Sequence, residues 1–170
     1  MNNENEKDDN EISKTESSQN DQSKSQSAVA IEGFRNEFSF LSNFHPSIIY
    51  VDGLRYATVE HAYQAAKAAD PEHRELIRNA PTPGEAKKLG KMVTMREDWD
   101  EVRLDMMRTF VYKKFENLFF RSMLLATEGA ELIETNYWHD DFWGVYNGAG
   151  QNWLGRILME VRDEISKSNE

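Results

Sequence analysis

"TVEHAYQAAK", residues 58–67, reads as a helix with two unlike sides. At about 100° per residue, Glu60, Tyr63, Gln64 and Lys67 share one face, and Ala62, Ala65, Ala66 and Ala69 take the other. The alanine side suits close packing against a neighbouring element. The polar side is either solvated or holds a ligand, and helical spacing alone leaves both open. Thr58 is the expected N-cap, and Glu60 just inside it favours the helix dipole in any case. Glu60 and Lys67 stand about 10 Å apart along the axis, by the rise per residue of a helix. A carboxyl group there can donate or accept a proton, and a desolvated lysine can add to a sugar aldehyde.

Outward from this helix the chain alternates short strands and helices. "VAIEGF" (29–34), "SIIYV" (47–51) and "LRYA" (54–57) are β-rich, and Asp52-Gly53 between the last two is a hairpin signal. "DPEHRELIRNA" (70–80) opens a helix with Asp70 as cap and Pro71 at its first position. "TPGEAKKLG" (82–90) is another, with Thr82 and Glu85 spaced as a capping box and Gly90 as its stop. Residues 98–127 form a long helical pattern that breaks near Asn117 or Leu118. "AELIET" (130–135) is a candidate strand, and "WLGRILMEVRDEI" (153–165) an amphipathic helix. The expected fold is α+β: a mostly helical compact single domain over residues 29–167, with a small β-sheet near its N-terminal part.

The chain has 170 residues, no cysteine and a formal charge of −10. Residues 1–28 carry seven acids against three lysines and almost no apolar bulk. Such a segment cannot offset its ordering entropy, so a disordered acidic tail is expected there. It lacks the apolar core of a secretory signal and is too acidic for a transit peptide. All nine Phe, six Tyr and four Trp fall after it, in a part whose net charge is −6. That balance argues against a broad electrostatic footprint on nucleic acid, though not against a small anion site. No apolar run suits a membrane span, and cysteine-free usage fits a cytoplasmic protein.

Two other stretches combine polarity with apolar surroundings. In "WHDDFWGVYNGAGQNWLG" (138–155), Trp138, Phe142, Trp143, Tyr146 and Trp153 stand beside Asp140, Asp141, Asn147 and Asn152, with Gly144, Gly148 and Gly150 between them. Aromatic faces can cover a base or sugar, and a carboxylate can steady a developing cation; the same aromatics can equally fill a core under a glycine hinge. In "FLSNFHP" (40–46), Asn43 either makes a turn or offers a donor and an acceptor to a ligand. The histidines at 45, 61, 73 and 139 lack metal-ligand spacing, HExxH is absent, and there is no P-loop or nucleophile elbow. No metal and no cofactor is expected.

"FLSNFHP", "GLRYATVEHAYQAAKA", "LGKMVTMREDWDEVRLDMM" with "KFENL", and "NYWHDDFWGVYNGAGQNWLGRILMEVR" together resemble the NADAR superfamily of YbiA-like N-glycosidases. The likeness runs over about residues 31 to 165. It implies cleavage of a bond between a ribose anomeric carbon and nitrogen. The substrates it suggests are phosphorylated ribosylamino-pyrimidine intermediates of riboflavin synthesis, ADP-ribose on guanine in nucleic acid, or NAD-derived ligands held without turnover. By matching positions, Glu60, Lys67 and Asp140 would be catalytic. Trp99 and Trp143 would be pocket tryptophans, with Asn43, Gln64 and Asn152 as polar positions near the ligand. Ala57 replaces a common proline, and His139 stands where glycine is usual, placed to clash with a substrate or contact its phosphate. Lys87, Lys88, Lys91 and Arg96 form the one basic cluster suited to nucleic acid; the reading preferred for it is as cations balancing the C-terminal end of a short helix.

Overall fold

The computed structural model describes residues 29–168. The tail expected over residues 1–28 lies outside them. The element order is β1 (Ala30–Glu32), a 3-10 helix (Asn36–Leu41), β2 (Ile49–Val51), β3 (Leu54–Tyr56), α1 (Val59–Lys67), α2 (Pro71–Arg78), α3 (Pro83–Gly90), α4 (Trp99–Phe115), α5 (Leu118–Leu125), β4 (Glu131–Ile133), β5 (Thr135–Asn136), β6 (Val145–Tyr146) and α6 (Trp153–Lys167). Among the described residues no helix is long and apolar enough to cross a membrane.

Local chemistry sets the boundaries. The Thr58 hydroxyl accepts from the His61 N–H, the Asp70 carboxylate from the Glu72 N–H, and the Thr82 hydroxyl from the Glu85 N–H. Each satisfies a backbone donor that a helix start leaves free. Asn117 caps α5 by accepting from both the Phe119 and Phe120 N–H groups. That competing local bond divides the long helical pattern into α4 and α5.

The strands make three two-stranded sheets. β2 and β3 form the expected hairpin, turning through Asp52 and Gly53, both at positive φ. β1 does not join them. It pairs in parallel with β4, Ile31 opposite Leu132, and Thr135 and Asn136 of β5 pair with Val145 and Tyr146 of β6. The strand content is thus split between the start and the last third of the domain. Ile31 and Leu132 are both buried, so the β1–β4 pair serves as a lid on the core rather than as an extension of the hairpin.

α4 runs through the centre, packed against α1, α5, α6 and β2, with Met107, Phe110, Val111 and Phe115 buried along it. The alanine side of α1 does what its small residues permit. Ala65 and Ala68 meet Ile77, Ala80 and Ala86 in a second, smaller cluster between α1, α2 and α3. Burying Ile77 fully is worth about 1.5–3 kcal/mol. α6 covers β4 at very short range: a Cβ on Gly155 would lie 2.0 Å from the Leu132 carbonyl oxygen. Arg162 of α6 then donates to the Thr127 and Ala130 carbonyls and the Thr127 hydroxyl, fixing the turn that leads into β4.

Candidate active site

The polar face of α1 is not wet. Glu60 and Gln64 are 6% and 7% exposed, and Lys67 is partly buried. Gln64 Nε2 donates to Glu60 Oε1 at 2.9 Å, one helical turn apart. Gln64 itself is held by α3, because a Cβ on Gly90 would come 2.0 Å from Gln64 Oε1. Tyr63, on the same face, packs at 5.0 Å from Trp99 and 5.3 Å from Trp143, ring centre to ring centre.

These groups line a cavity of about 720 Å³, within the range of small-molecule sites. α1 gives one wall. α4 gives another, with Trp99, Arg103 and Met107; the loop after the 3-10 helix adds Ser42, Asn43 and Phe44; residues 134–143 close the far side with Glu134, Asn136, Trp138, Asp140 and Trp143. Asp140 Oδ1 accepts from the Phe142 and Trp143 N–H groups, which fixes the turn that presents both Asp140 and Trp143. Asn136 ties the same loop down, donating to the Asp140 carbonyl and accepting from the Asp140 N–H.

Cations line the cavity although the chain is acidic, beside the carboxyl groups of Glu60, Asp100, Glu134 and Asp140. Arg35, Lys67, Lys87, Lys91 and Arg103 all line the cavity. Arg35 stacks on Tyr137, Arg103 on Phe142, and the Lys87 ammonium lies 5.7 Å from the ring centres of both Phe44 and Trp138. Burial pushes the Glu60 carboxyl above its ordinary range; Gln64, Lys87 and Lys67 oppose this and Asp140 adds to it. Burial lowers Lys67, with Glu60 opposing and Lys91 adding. The two shifts run in opposite senses: an acid that keeps its proton longer, and an amine that gives one up sooner.

Of the residues expected at a site, Glu60, Lys67, Asp140, Asn43, Gln64, Trp99 and Trp143 all line this cavity. Asn152 does not. It sits at a left-handed φ of 52° at the start of α6, so its side chain turns back under β4. There it donates to the Leu132 carbonyl and accepts from the Glu134 N–H, spending both ends on backbone. His139 is also outside the lining and stacks on Tyr146 at 4.1 Å. The basic cluster divides: Lys87 and Lys91 face the cavity, Lys88 is exposed, and Arg96 is held by Asp98.

Glu134 was not anticipated. It lines the cavity, its Oε2 is buried without a hydrogen-bond partner among the described residues, and burial pushes its carboxyl up to about 7. The Phe34 N–H, Arg35 and Lys87 oppose that rise, and Asp140 adds to it. The signal was present in "AELIET": strand alternation puts Glu134 on the same side as the fully buried Leu132. Among the described residues no group of three or more His, Asp or Glu could hold a metal ion.

Comparison with known proteins agrees with this architecture. The NADAR domain model matches residues 19–166. N-glycosidase Npun_R5314 of Nostoc punctiforme is 44% identical over 135 residues, covering 75% of this chain and 86% of that protein. N-glycosidase YbiA of Escherichia coli is 36% identical over 135 residues, covering 77% and 84%. The NMR structure of E. coli YbiA matches the fold with a TM-score of 0.77 at 33% identity, over 84% of this chain and 88% of that one. Riboflavin biosynthesis protein VVA0006 of Vibrio vulnificus is 39% identical over 132 residues, which are 75% of this chain and 36% of the larger protein. With the family model spanning nearly every described element, and a solved relative sharing their arrangement, this chain belongs to the NADAR domain family.

Proposed function

We propose that the chain is an N-glycosidase that hydrolyses the bond between a ribose anomeric carbon and a base nitrogen. Its substrate is a phosphorylated riboside of the ribosylamino-pyrimidine type found in riboflavin synthesis. One observation carries the reading. A single cavity of nucleotide size gathers a carboxyl raised by burial, an amine lowered by burial, stacked aromatics and cationic side chains. Relatives named as N-glycosidases and as a riboflavin biosynthesis protein support the substrate class.

In the mechanism, the base stacks on Trp99 and Trp143 while the phosphate meets the lysines of the lining. Glu60, protonated at the start, gives its proton to the leaving nitrogen. Asp140 stabilises the oxocarbenium-like ribose as water attacks, the role a second carboxylate plays in glycosidases, and the water's proton passes to the Glu60 carboxylate, which restores its starting form. The lowered Lys67 favours a second route: the sugar ring opens to an imine between C1 and the base nitrogen, the Lys67 amine adds at C1 and expels the base as its free amine, and water hydrolyses the resulting Lys67 Schiff base to free ribose phosphate and the amine. No step is assigned to a metal.

Chromatography with mass detection tests the reading. The protein is incubated separately with the ribosylamino-pyrimidine phosphate, guanine-ADP-ribosylated DNA and NAD. Free base should appear from the first. Glu60→Gln should lower kcat by about 10²–10⁴-fold, the usual value of a proton-transfer group, and Lys67→Ala should fall similarly. Wild-type kcat in both variants would sink the mechanism. Borohydride during turnover traps a Schiff base as a stable adduct on Lys67, and its absence assigns the hydrolytic route.

A second reading, removal of ADP-ribose from nucleic acid, draws on Tyr137 and Trp138, which are 74% and 55% exposed beside Arg35 and Lys87 at the mouth. Such rings can stack a neighbouring base. Release of free ADP-ribose from the DNA, with unmodified guanine left in the strand and the other substrates intact, would favour it. Tight binding of ADP-ribose with every substrate left intact would mark a recognition module instead.

A further inference from the structure

We propose that Lys114, which lies behind the cavity and outside its lining, is a positioning residue that locks the 42–43 loop and the first turn of α1 in the geometry Glu60 needs. The inference rests on the N-glycosidase reading for its kinetic consequence and on the structure for the lock itself.

Lys114 is 2% exposed, among the most deeply buried side chains of the described residues. Its ammonium lies 5.5 Å from the Phe115 ring centre and 5.9 Å from that of Phe120, and among the described residues no carboxylate pairs with it. Burial alone brings it down to about 7. A methionine there would carry no such desolvation cost, since replacing a buried charge by an apolar group of similar size is often neutral or stabilising. A lysine kept at such a place needs a task, and its one bond supplies it: Nζ donates to the Ser42 carbonyl at 2.8 Å.

Ser42 and Asn43 line the cavity. Two turns back along the same face of α4, Met107 Sδ accepts from Asn43 Nδ2 at 3.3 Å. α4 therefore grips two consecutive loop residues. The loop in turn grips α1, because the Asn43 carbonyl accepts from the Glu60 N–H at 3.1 Å. Two hydrogen bonds joined by the Ser42–Asn43 peptide link run from Lys114 to the backbone of Glu60, and the Met107 contact braces Asn43 between them. Every member of this path is a backbone or buried side-chain group, so slack at Lys114 has nowhere to dissipate before it reaches the site.

Lys114→Met tests the lock, read by hydrogen exchange of the Glu60 amide, by kcat and KM, and by the pH profile of kcat/KM. The expected result is a folded protein whose Glu60 amide exchanges at least about tenfold faster, with kcat down by about 10²-fold, the usual cost of a small misplacement of reacting groups. KM should change less. The limb of the profile due to Glu60 should move toward the ordinary carboxylate range as water enters, although Gln64, Lys67, Lys87 and Asp140 still face it. If Lys114→Met does not fold, Met107→Leu, which conserves volume and removes the sulfur acceptor, is expected to give the same changes to a smaller degree. An unchanged Glu60 amide in the folded variant overturns the lock, whatever the activity. Wild-type protein that frees neither base nor ADP-ribose from any substrate removes the N-glycosidase reading, and the amide exchange still decides the lock.

Discussion

At the scale of single residues, the site depends on carboxyl groups held out of water. Glu134 shows the energetic side of this. Its folded pKa of about 7 stands above the ordinary glutamate value. Its neutral form therefore supports the fold fully at low pH, and that support is lost as pH rises through 7. Glu134→Gln should flatten the fall in Tm between about pH 5 and pH 7, where folded and unfolded wild-type chains bind different numbers of protons. An unchanged Tm–pH curve would contradict the burial described here. Glu60 was readable in the sequence because a helix repeats its face every three to four residues. Glu134 escaped because a three-residue strand shows alternation over too few positions to mark which side is inward. Lys114 was not readable as anything but a surface charge, since its burial follows from where α4 crosses the core.

At the scale of elements, the helix caps were legible residue by residue, since Thr58, Asp70 and Thr82 act through bonds to neighbours two or three positions away. Of the sheets only the β2–β3 hairpin was, through its Asp52-Gly53 turn; the β1–β4 pair joins residues about a hundred positions apart, with α6 packed on β4, and nothing local marks it. Asn152 shows the same limit, its side chain being directed by a left-handed backbone rather than by the loop's composition. Close approach of helices also carries function. Gly90 ends α3 against Gln64, where an added Cβ would lie 3.0 Å or less from three atoms of that side chain. Gly90→Ala should displace Gln64, remove its bond to Glu60, lower Tm by a few degrees for a loss of about 1–3 kcal/mol, and reduce kcat. Normal kcat in that variant would show that Glu60 does not need Gln64.

At the scale of the molecule, a chain of net charge −10 has gathered five cations in one cavity lining, beside four carboxyl groups. Such a lining can meet the phosphate of a small ligand at a few basic groups, while the net negative charge of the chain disfavours an extended polyanion. For a small phosphorylated riboside, kcat/KM should fall less than about tenfold between 50 and 200 mM salt, against the ~10³–10⁵ lost by proteins contacting 6–10 nucleic-acid phosphates. A slope of the latter kind would move the substrate to nucleic acid. The parallel pairing of β1 with β4 has another consequence, for synthesis on the ribosome. The first strand of the domain stays without its partner until Glu131–Ile133 has emerged, and Glu134, Asp140 and Trp143 come later still. A growing or stalled chain presents α1 without the residues 134–143 that close the far side, so the cavity is completed only with the last third of the domain.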